Sequence, residues 1–192
     1  MISGAGFASV EWMHRLLDGF DLRAAQAVHR LDSPAADAIM RAASRLGSWP
    51  LLLGLALGCV AWMAWRGHRR SARVVGAVAL AAGVATWLLK ELFHRARPAL
   101  FYEVPRPSSF SFPSGHALMS TAVYGIVALV LARSRPEWRM PLAAVTTLLV
   151  LVIGSSRVYL GVHWPTDVLA AFAGGVILLV AGSFALGHRS ED

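Results

Sequence analysis

Five stretches of this chain carry no strongly ionised side chain over lengths close to what a lipid bilayer demands. Residues 46–65, 74–89, 107–132, 140–156 and 168–187 contain no Asp, Glu, Lys or Arg, and His116 is the only imidazole within 107–132. A hydrocarbon core about 30 Å thick is crossed by roughly 20 apolar helical residues. Each stretch, completed by flanking residues, therefore reads as a span, at about 49–66, 74–93, 116–132, 141–158 and 167–187. Composition agrees, with 56% of the 192 residues hydrophobic and 15% charged; a soluble domain averages about one half and one quarter. A very apolar soluble helical protein is the competing reading, and the stretch lengths argue against it. The expected fold class is all-α: an integral membrane helical bundle with about five transmembrane helices preceded by interfacial amphipathic helices.

Residues 1–48 form those amphipathic helices. Phe7, Val10, Met13, Leu16, Leu17 and Phe20 recur at helical spacing but are interrupted by charge. In a second helix Ser33 can cap the start, Pro34 suits the first position, and Gly47 can end it. Ile39, Met40, Ala43 and Leu46 share its apolar face, which can lie in the interface or pack on the bundle. Residues 49–187 form the transmembrane domain and 188–192 a polar tail. Trp12, Trp49, Trp62, Trp65 and Trp164 fit an interfacial belt near span ends.

The net charge is +7, yet nucleic-acid binding explains it poorly. The 17 Arg and the lone Lys90 are dispersed, many beside apolar runs, as juxtamembrane cations are. Cys59 is the only cysteine, so no intrachain disulfide forms, and no Cys/His group has zinc spacing. No Asn is present, hence no glycosylation sequon, and no cleavable signal peptide is expected. The Arg- and Ala-rich, Lys-poor composition points to a GC-rich bacterial genome. Nothing in the pattern specifies an oligomeric state.

The loop 66–73 carries four Arg and the loop 133–139 three, which places both in the cytoplasm by the positive-inside rule. The loops 94–115 and 159–166 then share the extracytoplasmic face of the cytoplasmic (inner) membrane. The five Arg of the N-terminal helices would have to cross with them, which weighs against that orientation.

Those two polar loops and the span ends beside them hold Lys90, Arg97, His116, Arg157, His163 and Asp167. Ionisable groups at such depths often mark a functional site, although snorkelling cations and ordinary loop histidines would look alike one at a time. Spacing separates the readings. Lys90 and Arg97 share a face if the helix continues to Pro98, a point charge and a fork suited to one phosphate. Pro113, Ser114, Gly115 and His116 open an apolar helix, where unpaired N–H groups and a hydroxyl form an anion cradle. Asp167 follows His163 at i+4 and can fix its tautomer, with Pro165 requiring a turn between them. His94, at i+4 from Lys90, could touch substrate. Arg95 and Arg106 either attract an anionic head group or anchor the loop, and Phe101 and Tyr102 either line a lipid entrance or pack.

Taken together, Lys90-x6-Arg97-Pro98, Pro113-Ser114-Gly115-His116 and Ser156-Arg157-x5-His163-x3-Asp167 resemble the three motifs of the type 2 phosphatidic acid phosphatase (PAP2) family. That family shares its phosphate site with vanadium haloperoxidases, and the resemblance covers about residues 50–187. The layout is similar to short bacterial undecaprenyl pyrophosphate phosphatases of the bacitracin-resistance type. The resemblance implies catalytic His163 as nucleophile, His116 as general acid and Asp167 orienting the imidazolium. It implies phosphate binding by Lys90, Arg97, Ser114, Gly115 and Arg157, no metal and no cofactor. The implied partner is a phosphorylated lipid: undecaprenyl pyrophosphate, phosphatidate, phosphatidylglycerol phosphate or a lipid A phosphate. Transfer of the phosphoryl group to another lipid or sugar is the alternative. A vanadate haloperoxidase is disfavoured by the spans, and a non-catalytic membrane protein by the intact motifs.

Overall fold

A computed structural model describes residues 18–99 and 107–187, and the architecture is helical throughout those segments. Helix α1 covers residues 18–29. It is followed by α2 (Pro34–Leu46), α3 (Trp49–Trp65), α4 (Arg69–Phe93), α5 (Gly115–Ser134), α6 (Arg139–Tyr159) and α7 (Pro165–Leu186), with a 3₁₀ turn at Pro136–Trp138 leading into α6. The apolar positions Phe7 to Leu17, Trp12, Phe101, Tyr102, Arg106 and the tail 188–192 lie outside the described residues.

Four helices, α4 to α7, are long and apolar enough to cross a membrane, and a fifth span results if α2 and α3, bent by 43° at their junction, are one unit. Taken alone, α3 has 17 residues and a length of about 26 Å at 1.5 Å per residue, short for a ~30 Å core. The chain is thus the helical membrane bundle its apolar runs require. At the start of α2 Ser33 accepts from the Ala36 N–H and Pro34 occupies the first turn, and Gly47 closes the helix at the junction with α3. Of the apolar face of α2, Ala43 is buried and Met40 packs against Tyr159, Leu160 and Val162, while Ile39 and Leu46 stay exposed.

Helix α5 is the axis of the bundle, in contact with α3, α4, α6 and α7. In lipid there is little hydrophobic drive between helices, so association relies on close approach of small residues. Gly154 faces the Phe172 ring so closely that an added Cβ would lie 2.2 Å from Cζ. Gly175 meets Thr121 in the same way, at 2.5 Å. Hydroxyls inside the bundle are satisfied within their own helices: Thr86 donates to Ala82 O and Thr121 to Ala117 O. That is the economical solution where water cannot serve.

This packing brings the C-terminal ends of α4 and α6 and the N-terminal ends of α5 and α7 together at one end of the bundle. Helix α2 lies against α6, and the α1 residue Asp21 reaches the first turn of α7 through Thr166.

Candidate active site

At that end the chain leaves α4 at Phe93 through His94, a non-glycine residue in the left-handed region (φ 46°). The helix therefore does not continue to Pro98, and Lys90 and Arg97 do not share a helical face. His94 turns outward, with its ring edge-on to Phe110 at 4.3 Å between centroids. Arg97 comes back into the site from an extended loop instead. Its Nε donates to Ser109 O at 2.7 Å and its Nη2 to Ser109 Oγ and Phe110 O, both at 3.1 Å. Its Nη1 donates to Val162 O at 2.6 Å and lies 3.1 Å from His163 Nε2. Lys90 Nζ donates to the Phe110 carbonyl, so both cations grip the same loop. The segment before α5 is held by Ser111 N–H to Arg95 O (2.8 Å) and Ser114 N–H to Asp167 O (3.2 Å).

Ser114 is the N-cap residue of α5, and Gly115 and His116 form its first turn. Gly115 sits close enough to α4 that a Cβ would lie 3.2 Å from Thr86 Cγ2. His116 is within electrostatic range of Arg157, His163, Arg97 and Lys90. Arg157, on the last turn of α6, is buried and donates from Nη1 to Ser44 Oγ of α2. The chain then turns through Leu160 and Gly161, whose φ of 66° suits glycine, and presents His163 before Pro165 starts α7.

His163 is 3% exposed, and its Nδ1 stands 3.7 Å from Asp167 Oδ2, just beyond hydrogen-bonding distance. Burial pushes its imidazole down to about 4; Asp167 opposes this, while Arg97 and Arg157 act with it. The ring is therefore neutral at neutral pH. Arg97 is likewise lowered by burial, against the attraction of Asp167.

Asp167 is fully buried and saturated with partners. Its Oδ1 accepts from Arg95 Nη1 at 2.6 Å, and its Oδ2 from Ser111 Oγ at 2.5 Å and from the Trp164 N–H at 3.0 Å. Arg95 is thus neither a lipid-facing anchor nor a head-group magnet but a ligand of the carboxylate. Burial acts to lower the Arg95 guanidinium, and its bonds to Asp21 and Asp167 outweigh this and leave it raised. Trp164 donates to Ala96 O at 3.0 Å and lies beside Arg95, so it clamps the two loops.

All eight residues expected from the motifs gather at this end. Asp21, Ser44, Ser109 and Ser111 join them, and no motif pointed there: Asp21 and Ser44 belong to the amphipathic helices. Among the described residues, three buried side-chain polar atoms have no hydrogen-bond partner: Ser114 Oγ, Arg157 Nε and His163 Nδ1. All three are in this cluster. Among the described residues no three His, Cys, Asp or Glu side chains are grouped to hold a metal ion.

Known proteins place this arrangement. The chain is 39% identical over 94 residues to phosphatidylglycerophosphatase B of Bacillus subtilis, a match covering 47% of this chain and 46% of that protein. It is 37% identical over 164 residues to decaprenylphosphoryl-5-phosphoribose phosphatase of Mycobacterium tuberculosis, covering 79% of this chain and 84% of that one. The match thus spans about half the length of the first relative and most of the second. The crystal structure of a transmembrane PAP2-type phosphatidylglycerolphosphate phosphatase from Bacillus subtilis superposes with a TM-score of 0.84 at 27% identity, over 92% of this chain and 90% of that one. The family model for the PAP2 superfamily matches residues 70–187. With three motifs converging at one end of a multi-pass helical bundle, this chain belongs to the PAP2 superfamily.

Proposed function

We propose that this protein is a membrane lipid phosphatase that hydrolyses a lipid phosphomonoester or pyrophosphate through a phosphohistidine. The observation that carries the reading is the set of unpartnered polar atoms on Ser114 and Arg157, buried beside a neutral His163 and ringed by Lys90 and Arg97. Buried donors without acceptors each cost about 1–3 kcal/mol. A phosphoryl group supplies the missing acceptors, and its three equatorial oxygens spread charge over several cations in the transition state.

In this reading His163 Nε2 attacks phosphorus, and Arg97 Nη1 transfers its contact from that nitrogen to a phosphoryl oxygen. The N–P bond forms as the P–O bond to the leaving group breaks, and His116 gives its proton to the departing oxygen. Asp167 faces Nδ1–H and stabilises the imidazolium. Water then attacks phosphorus, His116 takes its proton and the N–P bond breaks. Lys90, Arg97 and Arg157 supply electrostatic stabilisation, so no metal is required. Phosphatidylglycerol phosphate, phosphatidate and undecaprenyl pyrophosphate are the candidate substrates; relatives are named as a phosphatidylglycerophosphatase, an undecaprenyl-diphosphatase and a decaprenylphosphoryl-5-phosphoribose phosphatase.

The test is phosphate release from these lipids in detergent under chelation, with quenched samples probed for phosphohistidine. Free phosphate without an added acceptor supports hydrolysis, whereas label appearing only on a second lipid or sugar makes the protein a phosphotransferase. Vanadate should inhibit as a transition-state mimic. Activity lost to chelator and restored by zinc or magnesium rejects the metal-free step. The site is proposed to face the extracytoplasmic side of the inner membrane: after replacement of Cys59, Ser108→Cys should react with an impermeant thiol reagent in intact cells. Labelling only after lysis reverses the orientation.

A further inference from the structure

Asp21 lies outside the matched region 70–187, yet it is fully buried against the site. Its Oδ2 accepts from Arg95 Nη2 at 2.7 Å and from Thr166 Oγ1 at 2.6 Å, and its Oδ1 from the Thr166 N–H at 2.9 Å. Arg95 Nη1 donates in turn to Thr166 Oγ1 at 2.7 Å and to Asp167 Oδ1 at 2.6 Å. One guanidinium therefore sits between two carboxylates, and the three groups together keep one negative charge.

That balance matters at His163. Among the described residues, the other charged or titratable groups around its ring are Arg97 from the loop, Arg157 from α6 and His116 from α5, with Lys90 of α4 beyond His116, none of them anionic. Asp167 is the one carboxylate facing it among the described residues, and Arg95 alone would cancel that charge. Asp18 stands 3.8 Å from Arg95, but its side chain is 75% exposed and screened by solvent.

We propose that Asp21 is a positioning residue of the reaction. By pairing with Arg95 it leaves the charge of Asp167 uncompensated toward His163, and by binding Thr166 it fixes the turn of α7 that carries Asp167. This inference rests on the phosphohistidine reading above, because only a nucleophile that becomes cationic needs the uncompensated carboxylate.

The experiment uses the full chain in detergent and a lipid phosphomonoester. It measures kcat, KM and the acidic limb of kcat/KM, which reports the essential base of the free enzyme. Asp21→Asn keeps the shape and removes the charge. It should lower kcat at least about tenfold with KM little changed, and move the acidic limb to lower pH by on the order of one unit, because the imidazolium loses support. Arg95→Gln should move the limb the opposite way, to higher pH, since two carboxylates then face the ring without a cation between them. The double variant should return toward the wild-type limb.

A purely structural ion pair would give two variants with lowered stability and an unmoved limb. That outcome, a shift in the same direction for both partners, or wild-type kcat in Asp21→Asn, overturns the proposal. Should Asp21→Asn alone fail to accumulate, the double variant must titrate below Arg95→Gln, and coincidence of those two limbs overturns it equally. A wild-type protein that releases no phosphate, or keeps doing so after His163→Ala, sinks the parent reading and this inference with it. An active, His163-dependent enzyme with unmoved limbs sinks only the role of Asp21.

Discussion

The two ends of the bundle are both rich in arginine, and they use it in opposite ways. At the end holding the loops 66–73 and 133–139, Arg66, Arg69, Arg70, Arg73, Arg135 and Arg139 are exposed. The arginines at that end meet backbone carbonyls, an indole face and one exposed carboxylate: Arg70 donates to Ala185 O at 3.1 and 3.0 Å, Arg133 to Gly187 O at 2.6 Å, Arg66 lies over the Trp62 ring, and Arg135 stands 3.7 Å from Glu137. Cations there satisfy the last carbonyls of α7 and complement its dipole. At the other end Arg95, Arg97 and Arg157 are drawn inward and meet carboxylates, an imidazole and serine hydroxyls. Exposure makes an arginine a helix cap worth little, whereas burial leaves Arg157 with an unfilled Nε donor, on which the proposed anion site depends.

The largest expected contrast between the ends is at His163. His163→Ala should abolish turnover and leave no phosphoenzyme in quenched reactions, and phosphate trapped on His116 instead would exchange the two histidine roles. Asp167→Asn should keep lipid binding but lose rate by on the order of 10⁴-fold, as when an orienting carboxylate is neutralised in a triad; a loss confined to KM would break the assignment. Arg157→Gln, which removes the unpartnered Nε donor from the site, should cost roughly 10²–10³ in kcat, the usual effect of deleting one transition-state donor.

The pH profile gives a smaller effect with a defined sign. His163 titrates near 4 in the folded protein, below an ordinary value of about 6.5, so activity should hold as pH falls to about 5 and drop through about 4. The stability conferred by burying the neutral ring is whole above about 6.5 and is lost as pH falls through about 4, which thermal unfolding at stepped pH would record. An acidic limb near 6.5 would mean the ring is solvated. The smallest effect belongs to the opposite end. Arg135 and Glu137 stand 3.7 Å apart with side chains 75% and 60% exposed, and Arg135→Gln should leave activity unchanged and stability within about 0.5 kcal/mol. A loss of rate there would show that the two ends are coupled.

Much of the site was legible because its motifs are local. Ser33, Pro34 and Gly47 punctuate α2 as their chemistry predicts, and Pro165 starts α7 so that Asp167 falls in its first turn, facing His163. Lys90 and Arg97 share a face only if the helix continues, and it does not: helical spacing cannot register that His94 takes a left-handed turn and sends the chain out along the loop. Arg95 read equally well as an interfacial anchor, because nothing in its neighbourhood names the acid it meets.

The sequence by itself determined how many segments can enter a bilayer, and which residues sit at their ends. Both are properties of short windows, set by the cost of placing charge in hydrocarbon and by helical geometry over a turn or two. Only the tertiary structure decided who partners whom across the bundle. Arg95 reaches Asp21 over 74 residues of chain, Arg157 reaches Ser44 over 113 and Thr166 reaches Asp21 over 145. A buried ion must find its counter-charge wherever packing brings one, and packing depends on small-residue contacts such as Gly154 against Phe172 and Gly175 against Thr121, which no local pattern encodes.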